Sequence, residues 1–128
     1  MSDFAFTIPR RFNGGSIRAV IQVLKVWNLT CAQSSQLLGV NEKEFLSWKI
    51  AIPSERDLSH EIILRVSYLL GIYKALHIII PNKILADSWI QQPNKAPLFD
   101  GATPLTRMLQ GSIEDLQVIR VHLDSYIE

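Results

Sequence analysis

Ser59-His-Glu-Ile62-Ile-Leu-Arg65-Val66-Ser-Tyr-Leu69-Leu70-Gly-Ile72-Tyr73-Lys74-Ala-Leu76-His77-Ile78-Ile79-Ile80-Pro81 decides how the rest of this chain must fold. Ile62, Val66, Leu69, Tyr73, Leu76 and Ile80 recur at spacings of three and four, one stripe of an α-helix. Ile63, Leu70, Ile72, Ile78 and Ile79 widen that stripe until the helix is apolar nearly all round. Asp57 or Ser59 can open it, and Pro81 closes it. The run approaches membrane-spanning length, but Arg65, Lys74 and His77 interrupt it, so it reads as a central pillar buried by both halves of a soluble protein.

Upstream, Pro9 fixes an extended start beside Arg10 and Arg11, and Asn13-Gly14-Gly15 marks a turn. Ser16 is expected to cap a helix reaching about Trp27, with Ile17, Val20, Ile21, Leu24 and Trp27 on one face. Residues 30–49 then read as helix, tight turn, helix. Gly39 can take a positive φ at the turn, and Leu38, Val40, Phe45 and Trp48 can lock the pair. A second helix starting at Asn41 would present Asn41, Glu42, Lys43 and Ser47 to a DNA major groove, with Lys49, Arg56, Arg18, Arg10 and Arg11 near phosphates. The same hairpin could equally pack without touching DNA, because Glu42 and Glu44 would face a polyanion and few residues are basic.

Downstream, Pro81 is expected to begin a helix through Trp89 or Ile90, followed by a Pro/Asn/Gly loop. Thr103 suits a helix cap, Pro104 its first position and Gly111 a left-handed exit, so that helix is very short. Ser112-Ile-Glu-Asp115 resembles a capping box for a last helix, whose face is Leu116, Ile119, Leu123 and Ile127. No alternating strand pattern, repeat or low-complexity tract breaks the series. The expectation is an all-α chain of about seven helices: an N-terminal helix-turn-helix module over 1–56, and a central helix with a small helical domain over 57–128.

The 128 residues are 48% hydrophobic and 20% charged, with a formal net charge of +1. An excess of apolar side chains in so small a chain points to an interface, most simply a homodimer. Residues 1–56 hold seven Lys/Arg against four Asp/Glu, and 57–128 hold six against eight, so the two halves offer differently charged surfaces. One cysteine, Cys31, allows no internal disulfide, and no basic-then-apolar leader opens the chain; a cytoplasmic setting fits both. Nothing is arranged for catalysis. His60-Glu61 begins a zinc-protease motif, but Leu64 stands where its second histidine belongs; His77 and His122 lack metal-spaced neighbours. No metal, cofactor, membrane or small-molecule substrate is expected.

The pattern Trp89-x3-Pro93-Asn94-x4-Phe99-x-Gly101-x2-Pro104-Leu105-x2-Met108-x2-Gly111 resembles the toxin-binding domain of Xre/MbcA/ParS type II antitoxins. Leu116-x2-Ile119-Arg120-x2-Leu123-Asp124 fits the same domain, and residues 16–52 resemble the family's Xre-like helix-turn-helix. The resemblance implies an antitoxin, not an enzyme, that neutralises a RES-domain, NAD-consuming toxin by covering its active site. It implies a homodimer that represses its own operon. By side-chain type, Asn94, Lys95, Asp100, Arg107, Arg120 and the tail residues Asp124, Tyr126 and Glu128 are the expected exposed toxin contacts; Asn41, Glu42, Lys43, Ser47, Lys49 and Arg18 are the expected DNA contacts. The competing reading is a stand-alone helix-turn-helix regulator whose C-terminal half only dimerises.

Overall fold

The computed structural model describes residues 14–127, and these are all-α: seven α-helices and no strand among them. The helices are α1 (Gly14–Val26), α2 (Cys31–Leu38), α3 (Glu42–Ile50), α4 (His60–Ile79), α5 (Lys83–Ser88), α6 (Pro104–Met108) and α7 (Ile113–Asp124). Pro9, Arg10, Arg11 and Asn13 lie outside the described residues, as does Glu128.

Local chemistry sets most boundaries. Ser59 caps α4 by accepting the Ile62 N–H, Thr103 caps α6 with Pro104 at its first position, and Ser112 and Asp115 close a reciprocal capping box on α7. Thr30 and Gln33 make a second such box on α2. Three expectations move. Gly14 already begins α1, so Ser16 lies inside the helix rather than capping it. Asn41 is the cap of α3, its side chain accepting the Glu44 N–H, rather than its first residue. Asn82, not Pro81, starts α5 by accepting the Leu85 N–H, and a 3-10 turn over Trp89–Gln91 replaces its last turn.

α4 is the pillar, packed by α1, α2, α5 and α7. By length and composition it could cross a membrane. Here Val66, Leu69, Ile72, Ala75 and Leu76 join a single apolar cluster that runs from Ile17, Leu24 and Trp27 of α1 to Leu116, Ile119 and Leu123 of α7. Burial at about 25 cal/mol per Å² of apolar surface makes that cluster the main favourable term in folding.

Two arginines complete the pillar's contacts. Arg65 is buried; its Nη2–H donates to Gly111 O at 2.8 Å, its Nη1–H to Leu37 O at 3.4 Å, and its Nε–H to Glu61 at 3.0 Å. It therefore ties the end of α2 and the exit of α6 to the pillar. Gly39 (φ +76°) leaves room for this side chain: a Cβ there would lie 2.9 Å from Arg65 Nε. On the other side, Arg120 of α7 donates to Gly71 O, and a Cβ on Gly71 would come within 3.1 Å of its guanidinium.

Gly39→Ala meets two penalties at once, a left-handed backbone and a guanidinium pinned by three bonds. It should cost about 3 kcal/mol, whereas Gly101→Ala, left-handed but with nothing near its missing Cβ, should cost about 1 kcal/mol. Urea unfolding of the two variants checks the ordering; equal losses would mean that Arg65 moves freely.

Candidate partner-binding surfaces

The loop between the 3-10 turn and α6 is short of regular structure but not of bonds. Asn94 organises it. Its N–H donates to Ala102 O (3.0 Å), its C=O accepts the Gly101 N–H (2.9 Å), and its Oδ1 accepts the Ala96 N–H (2.9 Å). Phe99 and Asp100 both donate to Ala96 O, and the chain reverses through positive φ at Asp100 (49°) and Gly101 (86°). Phe99 is buried and anchors the loop edge-on between Trp89 (5.8 Å) and His122 (5.6 Å). His122 in turn meets Tyr126 edge-on at 5.3 Å. An aromatic run thus passes from the core to the exposed end of α7.

Beside this run lies a shallow groove of about 220 Å³, lined by Leu76, Ile79, Ile80, Trp89, Asn94, His122, Leu123 and Tyr126. Its walls are apolar, and Asn94, His122 and the Tyr126 hydroxyl supply polar groups. Tyr126 is 63% exposed, as a side chain waiting at a rim would be. Val121 is also exposed on α7. Around the end of α4 and the start of α5, Ile78, Ile84 and Leu85 are exposed as well, Ile84 at 78%. α5 is held in place by Asp87, which accepts from Lys83 at 2.8 Å and pairs with His77 at 2.7 Å.

The expected toxin contacts separate into two groups. Lys95, Asp100 and Tyr126 are exposed. Asn94 is half-buried and spends its side-chain oxygen on the loop, so it is a positioning residue rather than an exposed contact. Arg107 is about one-third exposed, with its Nε–H on Asp115 at 2.7 Å. Arg120 is the clear correction: 3% exposed, bonded to Gly71 O and paired with Asp124 (3.3 Å), it is a buried brace. Asp124 is likewise largely covered, its side chain 15% exposed. Side-chain type alone placed both on the surface; the neighbouring Gly71, which makes room for a guanidinium, was the overlooked signal.

The two aspartates at the ends of α7, Asp115 buried and Asp124 largely covered, are perturbed in opposite directions. Burial raises the Asp124 pKa, and Arg120 offsets only part of this. For Asp115, burial also acts upward but is outweighed by bonds from the Ser112 N–H, the Arg107 guanidinium and the Ser112 hydroxyl, so its pKa lies below the ordinary range.

At the other end, α2 and α3 meet through Leu37, Leu38, Phe45 and Trp48, all buried, across the turn at Gly39. The outward residues of α3 and its cap are Asn41, Glu42, Lys43, Glu44, Leu46, Ser47, Lys49 and Ile50. Arg18 and Arg56 are exposed on neighbouring segments. The side chains of Asn41 and Ser47 already bond to the backbone of Glu44, and Lys49 lies over the Phe45 ring at 5.2 Å. Lys43 projects without such a tie. Two glutamates and the apolar Leu46 and Ile50 share this face, which makes it mixed rather than basic.

A three-residue turn between two short helices, a buried pillar and a rigid loop over an apolar groove describe a small helical protein built around surfaces. The chain is 34% identical, over 110 residues, to the uncharacterized protein y4oB of Sinorhizobium fredii (strain NBRC 101917 / NGR234), an alignment covering 85% of this chain and 81% of that protein. It belongs to the same family as y4oB. No family model matches the chain.

The opposed pKa shifts give opposite pH signatures. Asp115 has a lowered folded pKa, so its stabilisation is present above the ordinary carboxylate pKa and lost as pH falls through the folded value. Asp115→Asn should therefore destabilise at about pH 7, with the gap to wild type narrowing below about pH 4. Asp124 has a raised folded pKa, so its contribution is greatest below the ordinary pKa and lost as pH rises through the folded one. Asp124→Asn should gain on wild type as pH rises above about 4, the ordinary carboxylate pKa, and through the raised folded value. Urea titrations of both variants across that range check the signs.

Proposed function

We infer that this chain is an antitoxin of a type II toxin–antitoxin pair, neutralising a RES-type, NAD-consuming toxin by occlusion. The observation that carries the reading is the braced loop over an apolar groove with Tyr126, Lys95 and Asp100 exposed around it, next to the sequence pattern from Trp89 to Gly111. A loop whose turns are fixed before binding loses little conformational entropy on docking, so its exposed side chains can contribute fully to affinity. An interface of standard size, about 800 Å² on each partner, is enough for tight inhibition. The chain itself performs no chemistry in this reading; it excludes substrate from the partner's cleft.

Two further surfaces fit the same role. Ile78, Ile84 and Leu85 give an exposed apolar shelf, which we assign to a second copy of the chain. An isologous pairing suits it, because an apolar patch can meet its own copy across a two-fold axis, with the Lys83–Asp87 pair, closed within α5, at its border. A dimer would also carry two α3 helices, the pair of reading elements that a weakly basic unit needs for specific operator binding. Autoregulation would then use Lys43, Ser47, Lys49 and Arg18 on the outward face, with Asn41 and Glu42 at its start. That mixed face is also what a stand-alone regulator would carry, so toxin rescue is the deciding test.

Co-expression with the product of the adjacent gene, following growth and cellular NAD, is that test. The neighbour alone should stop growth and drain NAD, and this chain should restore both. Tyr126→Asp combined with Lys95→Glu should abolish rescue with helical content unchanged, while Lys43→Ala with Ser47→Ala should keep rescue and lose operator binding. A harmless neighbour, or full rescue by the Tyr126/Lys95 variant, would overturn the reading. Separately, Ile84→Glu should convert a dimer to a monomer in light scattering without unfolding it; an unchanged mass would remove the shelf from the interface.

A further inference from the structure

The groove beside Tyr126 has a size that selects its occupant. Its volume of about 220 Å³ falls below the roughly 300–1,000 Å³ of small-molecule sites, so it takes one or two side chains of a peptide rather than a free ligand. Its lining is aromatic as well as apolar, with Trp89, His122 and Tyr126 among the walls. Aromatic rings pack well on such a wall, edge-on or offset, as Phe99 already does between Trp89 and His122. Asn94 and the Tyr126 hydroxyl add polar groups for the backbone of an extended segment.

The chain carries a segment of matching chemistry. Residues 1–13 precede α1, and in Phe4-Ala-Phe6-Thr-Ile8 the large apolar side chains alternate with small or polar ones. In an extended run Phe4, Phe6 and Ile8 would share one face. Reach decides whether the tether allows this face to meet the groove. α1 has 13 residues and is about 20 Å long. Just past its end the Gln91 Nε2–H donates to Trp27 O at 2.6 Å, and Gln91 shares the 3-10 turn of Trp89. Gly14 therefore lies within about 30 Å of Trp89. The stretch from Phe4 to Gly14 spans up to about 33–36 Å, so the Phe4 end reaches the groove within one chain. Charge agrees at that end: Asp3 precedes Phe4, and the exposed Lys95 follows Asn94 at the groove.

We propose that residues 3–8 of this chain occupy the groove, with the Phe4 and Phe6 rings against Trp89, His122 and Tyr126 and with Asp3 beside Lys95. Tethering makes the docking intramolecular, at an effective concentration of about a millimolar, so a contact too weak to hold a free peptide fills the groove. A partner that uses Tyr126 and Lys95 must displace the segment, and its apparent affinity falls in proportion to the fraction of chains whose groove is free. The inference rests on the groove and the tether, not on which partner the groove meets.

The test places a nitroxide on the segment of the full chain, through Ser2→Cys in a Cys31→Ser background, and follows amide and indole NMR signals. The Trp89 indole N–H and the His122 and Tyr126 amides should lose intensity by paramagnetic broadening. Glu61 and Glu114, at the starts of α4 and α7, should keep theirs, and their unshifted signals also show an intact fold. Phe4→Asp with Phe6→Asp in the same labelled chain should restore the lost signals. Mixing nitroxide-labelled, isotopically unenriched chain with enriched chain that lacks the nitroxide should broaden nothing at the groove. Absence of broadening, broadening that ignores the Phe4 and Phe6 changes, or broadening in the mixed sample, which assigns the groove to the segment of a second copy, would each overturn the proposal. Rescue from the toxin is read separately by co-expression, so either idea can fail while the other stands.

Discussion

Short helices leave many carbonyls without partners, and the architecture depends on how those carbonyls are satisfied. The last four C=O groups of any α-helix lack intrahelical donors, so a protein built from helices of five to thirteen residues around one of twenty carries an unusual share of them. Many of these are met by the N–H of the cap residue, but at several helix ends, and just past them, the donors come from elsewhere in the chain. Arg65 reaches Leu37 O at the end of α2 and Gly111 O beyond α6; Gln91 reaches Trp27 O beyond α1 at 2.6 Å; Gln36 reaches Leu109 O beyond α6. Each bond links segments far apart in sequence. A charged donor to a buried carbonyl contributes about 1.5–3 kcal/mol, roughly twice a neutral one, which singles out Arg65. Its removal would also orphan both carbonyls, and the front helical pair would lose one of its polar links to the C-terminal elements, that of Gln36 to Leu109 O remaining.

Arg120 adds a different brace. It bonds Gly71 O from α7 and keeps Asp124 as its counter-charge, and burial lowers the pKa of its guanidinium. Removing one member of such a pair leaves a buried charge behind, whereas removing both can be nearly neutral. The pair thus sets the register of α7 against α4 more firmly than it stabilises the fold. Register matters because His122, Leu123 and Tyr126 reach the groove from this helix. A slip of one turn would carry Tyr126 away from Ile79 and Ile80 and dismantle the surface.

Much of the scaffold was legible from residue chemistry. Ser59, Thr103, Pro104 and Ser112 announced their helices because caps act within one turn, and the Gly39 turn between α2 and α3 follows from positive φ. Gly111 was read as a left-handed exit, and its φ is +107°. What a single chain conceals is tertiary use of polar groups. Arg65 reads in sequence as an interruption of an apolar run and Arg120 as a surface charge; both are buried, and each lies against a glycine 26 or 49 residues away. Asn94 was legible as part of a turn, but nothing local distinguishes a side chain that bonds its own loop from one offered to a partner.

The surplus of apolar residues is the remaining physical argument. Even with a core running from Ile17 to Leu123, the chain leaves Ile78, Ile84, Leu85, Val121 and Tyr126 exposed at one end of the α4–α7 pair, and Leu46 and Ile50 on α3. Single exposed apolar residues are ordinary, but a concentration around one end of the fold is costly to leave in water and is the common mark of a surface that meets another protein. The distribution matches the bracing. Arg120 and Asn94 fix the helix and loop that carry Tyr126, while the His77–Asp87–Lys83 cluster fixes α5 and its shelf. Polar groups within the scaffold hold the backbone still so that apolar groups can stay outside it. The core itself is apolar, as in any monomer, so it is the apolar surplus outside it, and not the buried polar braces, that calls for a covering surface.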